Sequence, residues 1–146
     1  MIAFNELMDA FLFVSSERQG MHTAILCMET GQIYYRSELG GIDETDDDDL
    51  DQYSCIEIPH KNDLGLGRDL VFEFVETRLP GYYDRVQRMF EKRGAYGRCK
   101  DFLESKGLLE SWYQFENQRE ETAIRQWCAE NQIEISESPR DTTLSI

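Results

Sequence analysis

The sequence has few of the residues and patterns that build common catalytic centres or membrane spans. Among 146 residues there are two histidines, and there is no His-x-x-x-His, Gly-x-Ser-x-Gly, phosphate-binding P-loop or dinucleotide-binding fingerprint. The longest uninterrupted apolar run is residues 10 to 14, whereas a membrane-spanning helix needs about 20 residues. These absences leave an enzyme without support and argue against a membrane partner.

Cysteines are also few, and they are widely separated. None of the four stands in the Cys-x-x-Cys spacing that is typical of zinc and thioredoxin-type sites. The N-terminus lacks the basic start of a signal peptide. We therefore predict a cytoplasmic protein with reduced, mostly buried thiols and with no metal and no cofactor. A disulfide or redox role is the alternative interpretation.

Positive charge is scarce. The chain has 15 Lys and Arg residues against 29 Asp and Glu residues, which gives a formal net charge of −14. Seven of the acids lie within residues 43 to 51, and the remainder of the chain is still at −7. An acidic surface repels nucleic-acid phosphates and anionic lipids, so any anion-binding site must be a local one.

The hydrophobic pattern predicts a single α+β domain over residues 1 to 146. It comprises an N-terminal helix, a small antiparallel sheet of about three strands and a helical C-terminal half packed on that sheet. The predicted strands are residues 21–28, 32–36 and 53–58. The predicted helices are residues 3–15, 63–79, 84–93 and 95–106, and one that starts near residue 117. Residues 40–52 are predicted to be an acidic loop and residues 136–146 a frayed tail.

The bases are concentrated in residues 84 to 106. This segment has seven bases and four acids, so its local charge is +3. The centre of this segment reads Arg-Gly-Ala-Tyr-Gly-Arg between two predicted helices. Glycines let the backbone approach a ligand, and the start of a helix favours negative charge. The segment thus predicts a site for an anionic partner, with nucleic acid among the candidates. Its residues are Arg93, Gly94, Tyr96, Gly97, Arg98 and Lys100.

A purely structural interpretation of the same segment is also open. Gly94 is expected wherever a helix ends, and Tyr96 can belong to the core. Arg98 can simply pair with an acid on its own surface. Under this interpretation the segment binds nothing.

The acidic stretch supports a different hypothesis. A calcium-binding EF-hand that starts at Asp47 would have Gln52 in place of glycine and Ile58 in place of glutamate, so that motif fails. The stretch predicts either a solvated loop or a docking site for a basic protein. The docking residues would be Asp46, Asp47, Asp48 and Asp49. A third hypothesis, an enzyme built on carboxylates near residues 63 to 76, has no histidine partner on that helix.

Residues 93 to 103 resemble a Gly-Ala-aromatic-x-Arg-x-Lys-Asp-x-Leu signature of bacterial proteins called uncharacterised protein family 0158. Trp-Tyr-x-Phe at residues 112 to 115 is similar to a later part of that pattern, and the resemblance extends over roughly residues 20 to 135. Gly97 and Cys99 stand where the family pattern has an arginine and a phenylalanine. The resemblance implies a bacterial cytoplasmic protein from a family without an established activity. Taken with the basic segment, it favours a non-enzymatic binding or regulatory module.

Overall fold

The computed structural model describes residues 2–45 and 54–136, which divide into two compact units. Unit 1 comprises residues 1–64 and 123–146, and unit 2 comprises residues 65–122. The predicted docking residues Asp46 to Asp49, most of the predicted acidic loop and nearly all of the predicted tail lie outside the described residues. One domain over the whole chain remains a prediction.

Unit 1 begins with the short strand β1 (Ile2–Ala3) and the helix α1 (Phe4–Ser15). Buried side chains recur along α1 every three or four residues, and they are Phe4, Leu7, Ala10, Phe11 and Val14. The helix confirms the predicted one, but Leu12, which the three- and four-residue spacing of apolar residues in the sequence places on the same apolar face, is 48% exposed. The reason is that each residue turns the helix by about 100°, so Leu12 points away from the face that contains Phe11.

Three antiparallel strands form the sheet of unit 1, as the sequence predicts. They are β2 (His22–Cys27), β3 (Ile33–Ser37) and β4 (Cys55–Glu57), in the order β3-β2-β4. α1 contacts the central strand β2, in which Ala24 and Leu26 are fully buried. β3 and β4 are therefore the edge strands.

The remainder of unit 1 is built from short elements. A 3-10 helix, Lys61–Leu64, follows β4, and β5 (Ile135–Ser136) pairs in parallel with β1. The sequence allows a last short strand at residues 133–135, close to the observed β5, but β1 and its pairing with β5 were not predicted, because a strand of two residues is too short to show an alternating pattern.

Unit 2 is helical and comprises α2 (Arg68–Arg78), the 3-10 helix Pro80–Tyr82, α3 (Tyr83–Met89), α4 (Ala95–Ser105) and the first part of α5. α5 spans Leu109–Glu130, and its residues from 123 onward belong to unit 1. The buried side chains of unit 2 include Leu70, Phe74, Val86, Cys99, Leu103 and Trp112. The two units together confirm the predicted α+β class.

Several helix boundaries differ from the prediction. α2 begins at Arg68 rather than at residue 63, since Gly65 has a left-handed φ of 70° that interrupts the helix. α5 runs without a break through the polar residues 116–121, where the sequence predicted a helix start. Glu120, in the middle of that run, is only 8% exposed and continues a stripe of buried residues spaced by four. Within the part of the chain that the structure describes, no helix has the length and apolarity to cross a membrane.

Candidate anion-binding surface

The predicted anion-binding residues lie in a hairpin of two helices. α3 ends at Met89, a tight connection follows, and α4 begins at Ala95; residues 83–106 together form the α3–α4 hairpin. Gly94 precedes the first residue of α4 with a φ of 77°, a left-handed conformation that residues with a side chain adopt at a cost. This conformation explains why glycine is present at position 94 without any ligand.

Arg98 turns back from α4 towards the end of α3. Its Nη2 donates a hydrogen bond of 3.2 Å to the carbonyl oxygen of Met89, the last residue of α3. Carbonyl groups at the end of a helix lack intrahelical partners and carry the negative end of the helix dipole. Arg98 therefore contacts a carbonyl group rather than the carboxylate that the structural interpretation expected, and it forms no ion pair with any residue that the structure describes.

Lys100 is directed elsewhere. Two residues along a helix correspond to a rotation of about 200°, which places Arg98 and Lys100 on different faces of α4. The Nζ of Lys100 lies 5.8 Å from the centroid of the Tyr113 ring in α5. The structure thus does not combine Arg98 and Lys100 in one cradle.

Arg93 and Tyr96 differ in their contacts with other residues. Arg93 is exposed, and no hydrogen bond or ion pair joins it to another residue in the described part of the chain. The Tyr96 ring is 41% exposed and packs edge-on against Phe90, with 5.1 Å between the ring centroids. Partial burial raises the pKa of Tyr96, although the neighbouring Arg68 acts in the opposite direction. Tyr96 is therefore partly a packing residue.

The hairpin also has a row of cations that was not predicted from the sequence. Phe102 lies one turn after Arg98 on α4, and Lys106 follows one turn later, so the three share a face. The Phe102 ring has the guanidinium of Arg85 at 4.9 Å and the Nζ of Lys106 at 5.8 Å from its centroid. Arg85, Arg98 and Lys106 together form the cationic stripe. Its signal in the sequence was the spacing of four residues between Arg98, Phe102 and Lys106.

Tyr82 completes one end of this stripe. The Nζ of Lys106 donates a hydrogen bond of 3.0 Å to the Tyr82 hydroxyl and lies 4.5 Å from the centre of its ring. That hydrogen bond, together with the charge of Lys106, lowers the pKa of Tyr82. The ring of Tyr82 also packs against Phe102 at 5.3 Å. Aromatic rings hold a cation in place while leaving its charge intact.

Ion pairing does not neutralise the hairpin. Arg36 pairs with Glu38 and Arg119 with Glu73, and over residues 2–45 and 54–136 no ion pair involves a base of residues 84–106. Unit 2 has ten bases against eleven acids, a net charge of −1, whereas unit 1 has five bases against eighteen acids, a net charge of −13. The contrast in charge that the sequence indicates is therefore also a contrast between the two units.

His60 provides no general base. Its Nδ1 accepts a hydrogen bond of 3.0 Å from the backbone N–H of Asn62, so the ring proton resides on Nε2, which donates to the carbonyl oxygen of Glu17 at 2.7 Å. The carboxylate of Asp63 in turn accepts the backbone N–H of His60 at 3.0 Å. His60 and Asp63 thus cap the following 3-10 helix reciprocally.

The thiols and other ligand-type side chains are scattered. Cys27, Cys99 and Cys128 are buried, as predicted for most of the cysteines, and Cys55 is exposed. Burial raises the pKa of the Cys99 and Cys128 thiols. Among the described residues, no group of three His, Cys, Asp or Glu side chains is arranged to hold a metal ion.

No family model, no curated protein and no solved structure matches this chain. The resemblance to uncharacterised protein family 0158 remains a prediction that rests on its motifs.

Proposed function

We propose that this chain is a non-enzymatic binding module that contacts an anionic partner through the α3–α4 hairpin. One observation carries the proposal. Residues 84–106 have seven bases, and none of them is ion-paired within the described residues of a protein whose net charge is −14. Cations that the protein leaves unneutralised are available to a ligand.

Contacts between the cationic stripe and its neighbours support the proposal. Arg85 and Lys106 rest against the Phe102 ring, and Arg98 is fixed to the carbonyl of Met89. Long side chains usually lose conformational entropy when they bind, and side chains that are already held lose less of it. Binding of a ligand to the stripe should therefore cost less side-chain conformational entropy.

The spacing of the stripe favours a polymer with repeated negative charges, of which nucleic acid is the first candidate. Arg98 and Lys106 are two helical turns apart, about 12 Å along α4, and Arg85 lies between them over Phe102. Arg98 is bonded to Met89 at the end of α3 and Lys106 to Tyr82 just before its start, so the two charges point towards opposite ends of α3 rather than towards one small anion. The exposed Arg93 lies at the end of the same hairpin, whereas Lys100 belongs to another face.

The test replaces the stripe by neutral side chains of similar length. We expect the variant Arg85→Gln, Arg98→Gln, Lys106→Gln to bind a fluorescently labelled single-stranded RNA at least about tenfold more weakly than the wild type in anisotropy titrations at low salt. The matched control is Arg18→Gln, Arg78→Gln, Arg125→Gln, which removes the same charge outside the hairpin. Arg78 and Arg125 also lie over phenylalanine rings, those of Phe74 and Phe4.

The control variant should retain most of the affinity of the wild type. Equal weakening in both variants would show that net charge alone governs binding, and the hairpin would then have no special role. If the wild type and the stripe variant bind the RNA with the same affinity, the hairpin is not the anion-binding surface.

A further inference from the structure

Two cysteines of unit 1 lie directly opposite each other in neighbouring strands. Cys27 is the last residue of the central strand β2, Cys55 is the first residue of the edge strand β4, and the antiparallel register pairs the two. Residues that are paired in this way direct their side chains to the same face of the sheet. Nothing in the sequence connects them, because they are far apart along the chain and no Cys-x-x-Cys motif marks them.

The hydrogen bonds around this pair bring the two side chains close together. The next pair along the ladder is hydrogen-bonded, since the N–H of Met28 donates to the carbonyl oxygen of Ser54 at 2.9 Å. Hydrogen-bonded and non-hydrogen-bonded pairs alternate in an antiparallel ladder, so Cys27 and Cys55 form a non-hydrogen-bonded pair. Consistently, the N–H of Cys27 donates in the other direction, to the carbonyl oxygen of Gln32 at 2.9 Å.

Such a pair is within reach of a disulfide. The Cα atoms of a non-hydrogen-bonded pair are about 4.5 Å apart, at the short end of the roughly 4.4–6.8 Å that disulfides span. The two thiols differ in accessibility, since Cys55 is exposed and Cys27 is fully buried. A reagent in solution therefore meets Cys55 first.

A carboxylate lies next to the buried thiol. The Sγ of Cys27 donates a weak hydrogen bond of 3.8 Å to Oε2 of Glu29. Both carboxylate oxygens of Glu29 also accept the backbone N–H of Ser54, at 3.0 and 2.9 Å, and these bonds lower the pKa of Glu29. The backbone of Ser54, the residue that precedes Cys55, thus holds the Glu29 carboxylate beside Cys27.

We propose that Cys27 and Cys55 are a redox pair, which a small disulfide such as oxidised glutathione converts into an intramolecular disulfide. The Cys55 thiolate attacks one sulfur of the glutathione disulfide, its S–S bond breaks, and one glutathione leaves as a thiol after it takes up a proton. Cys27 loses its proton to solvent, its sulfur attacks the Cys55 sulfur of the mixed disulfide, and the second glutathione leaves as a thiol after it takes up a proton. Two protein thiols are oxidised and one glutathione disulfide is reduced to two thiols.

The bond would tie the edge strand β4 to the central strand β2. β4 has only three residues, and it follows the acidic residues 43–51 after a short link that ends at Ser54. Oxidation would therefore fix Cys55, the first residue of β4, to the neighbouring strand β2. We expect a dithiol such as dithiothreitol to reduce the bond again by thiol–disulfide exchange.

The experiment treats the full-length protein with oxidised glutathione and follows thiol content, intact mass and disulfide-linked peptides. We expect the wild type to lose two thiols and two hydrogen atoms, to yield one peptide pair that links Cys27 to Cys55, and to recover both thiols with dithiothreitol. The variant Cys27→Ser should stop at a glutathione adduct on Cys55, and Cys55→Ser should not react. The control Cys99→Ser, Cys128→Ser should behave as the wild type.

Three results would overturn the proposal. One is a stable glutathione adduct on Cys55 of the wild type that never resolves. Another is a disulfide between two chains, visible as a dimer on a non-reducing gel. The third is no reaction at Cys55 although thiols are titrated normally in unfolded protein.

Discussion

Arg98 of α4 donates a hydrogen bond of 3.2 Å to the carbonyl oxygen of Met89, the last residue of α3. The same guanidinium is part of the cationic stripe, so one side chain both closes the α3–α4 hairpin and contributes to its charge. A stability measurement can separate these two roles if it is compared with a control that removes the same charge from a residue without such a hydrogen bond.

The variant Arg98→Ala should lower the free energy of unfolding by about 1 kcal/mol, since the exposed end of α3 loses a charged hydrogen-bond donor. Urea titration followed by circular dichroism would measure this change. Arg78→Ala is the matched control, and it should change the free energy by less than about 0.5 kcal/mol, because the contact of Arg78 is a ring at 5.7 Å. Equal effects of both variants would contradict a capping role for Arg98.

The two glycines of the predicted motif should respond in opposite directions. Gly94→Ala introduces a side chain where φ is 77°, and a new Cβ would also lie 3.4 Å from the Arg98 guanidinium, so we expect destabilisation by about 1–2 kcal/mol. Gly97 lies within α4, and a Cβ there meets nothing within 4 Å. Gly97→Ala should stabilise the protein by roughly 0.5–1 kcal/mol because alanine favours helix.

Thermal and urea unfolding of the two glycine variants would measure both effects. A stabilised Gly97→Ala variant that also binds RNA less well would show that a ligand approaches the backbone at position 97. A destabilised Gly97→Ala variant would contradict a start of α4 at Ala95.

Glu29 should contribute stability that depends on pH. Its hydrogen bonds from Ser54 lower the pKa of Glu29 from the ordinary value of 4.5, so the unfolded chain binds a proton more readily than the folded one does. The contribution is complete above about pH 5 and is lost as the pH falls through the lowered pKa of the folded state. The variant Glu29→Gln should lack it.

The difference in unfolding free energy between wild type and Glu29→Gln should therefore shrink steadily from about pH 5 to about pH 3. Urea titrations at several pH values would measure it. A difference that grows as the pH falls would mean that the folded state raises, rather than lowers, the pKa of Glu29.

The sequence predicted those elements whose side chains repeat regularly over several turns or strand residues. α1 falls into this group, whereas β2 and β3 were predicted from runs of strand-forming residues, and β4 ends at Glu57, one residue before its predicted end. β1 and β5 are too short for a pattern, and they form only because two distant segments meet. α5 was divided in error because residues 116–121 are polar, although α5 buries Glu120.

The sequence predicted which segment contains the candidate site, but not how the side chains of that segment are arranged. Counting charges located the bases of residues 84–106. Which of these basic side chains lie on the same face of the hairpin depends on where α3 ends. The sequence placed that end at residue 93, and the structure places it at Met89, whose carbonyl oxygen accepts hydrogen bonds from the Lys92 N–H and from Arg98. The pairing of Cys27 with Cys55 depends on strand register, which no local pattern in this sequence specifies.

The salt dependence of RNA binding tests the central claim most directly, because each phosphate that a protein cation neutralises contributes about −0.7 to the slope of log K against log salt for single strands. We expect the variant Arg85→Gln, Arg98→Gln, Lys106→Gln to have a slope shallower than that of the wild type by about 2, while Arg18→Gln, Arg78→Gln, Arg125→Gln keeps the wild-type slope. A slope that is the same in wild type and stripe variant would contradict the assignment of the anion-binding surface to the α3–α4 hairpin.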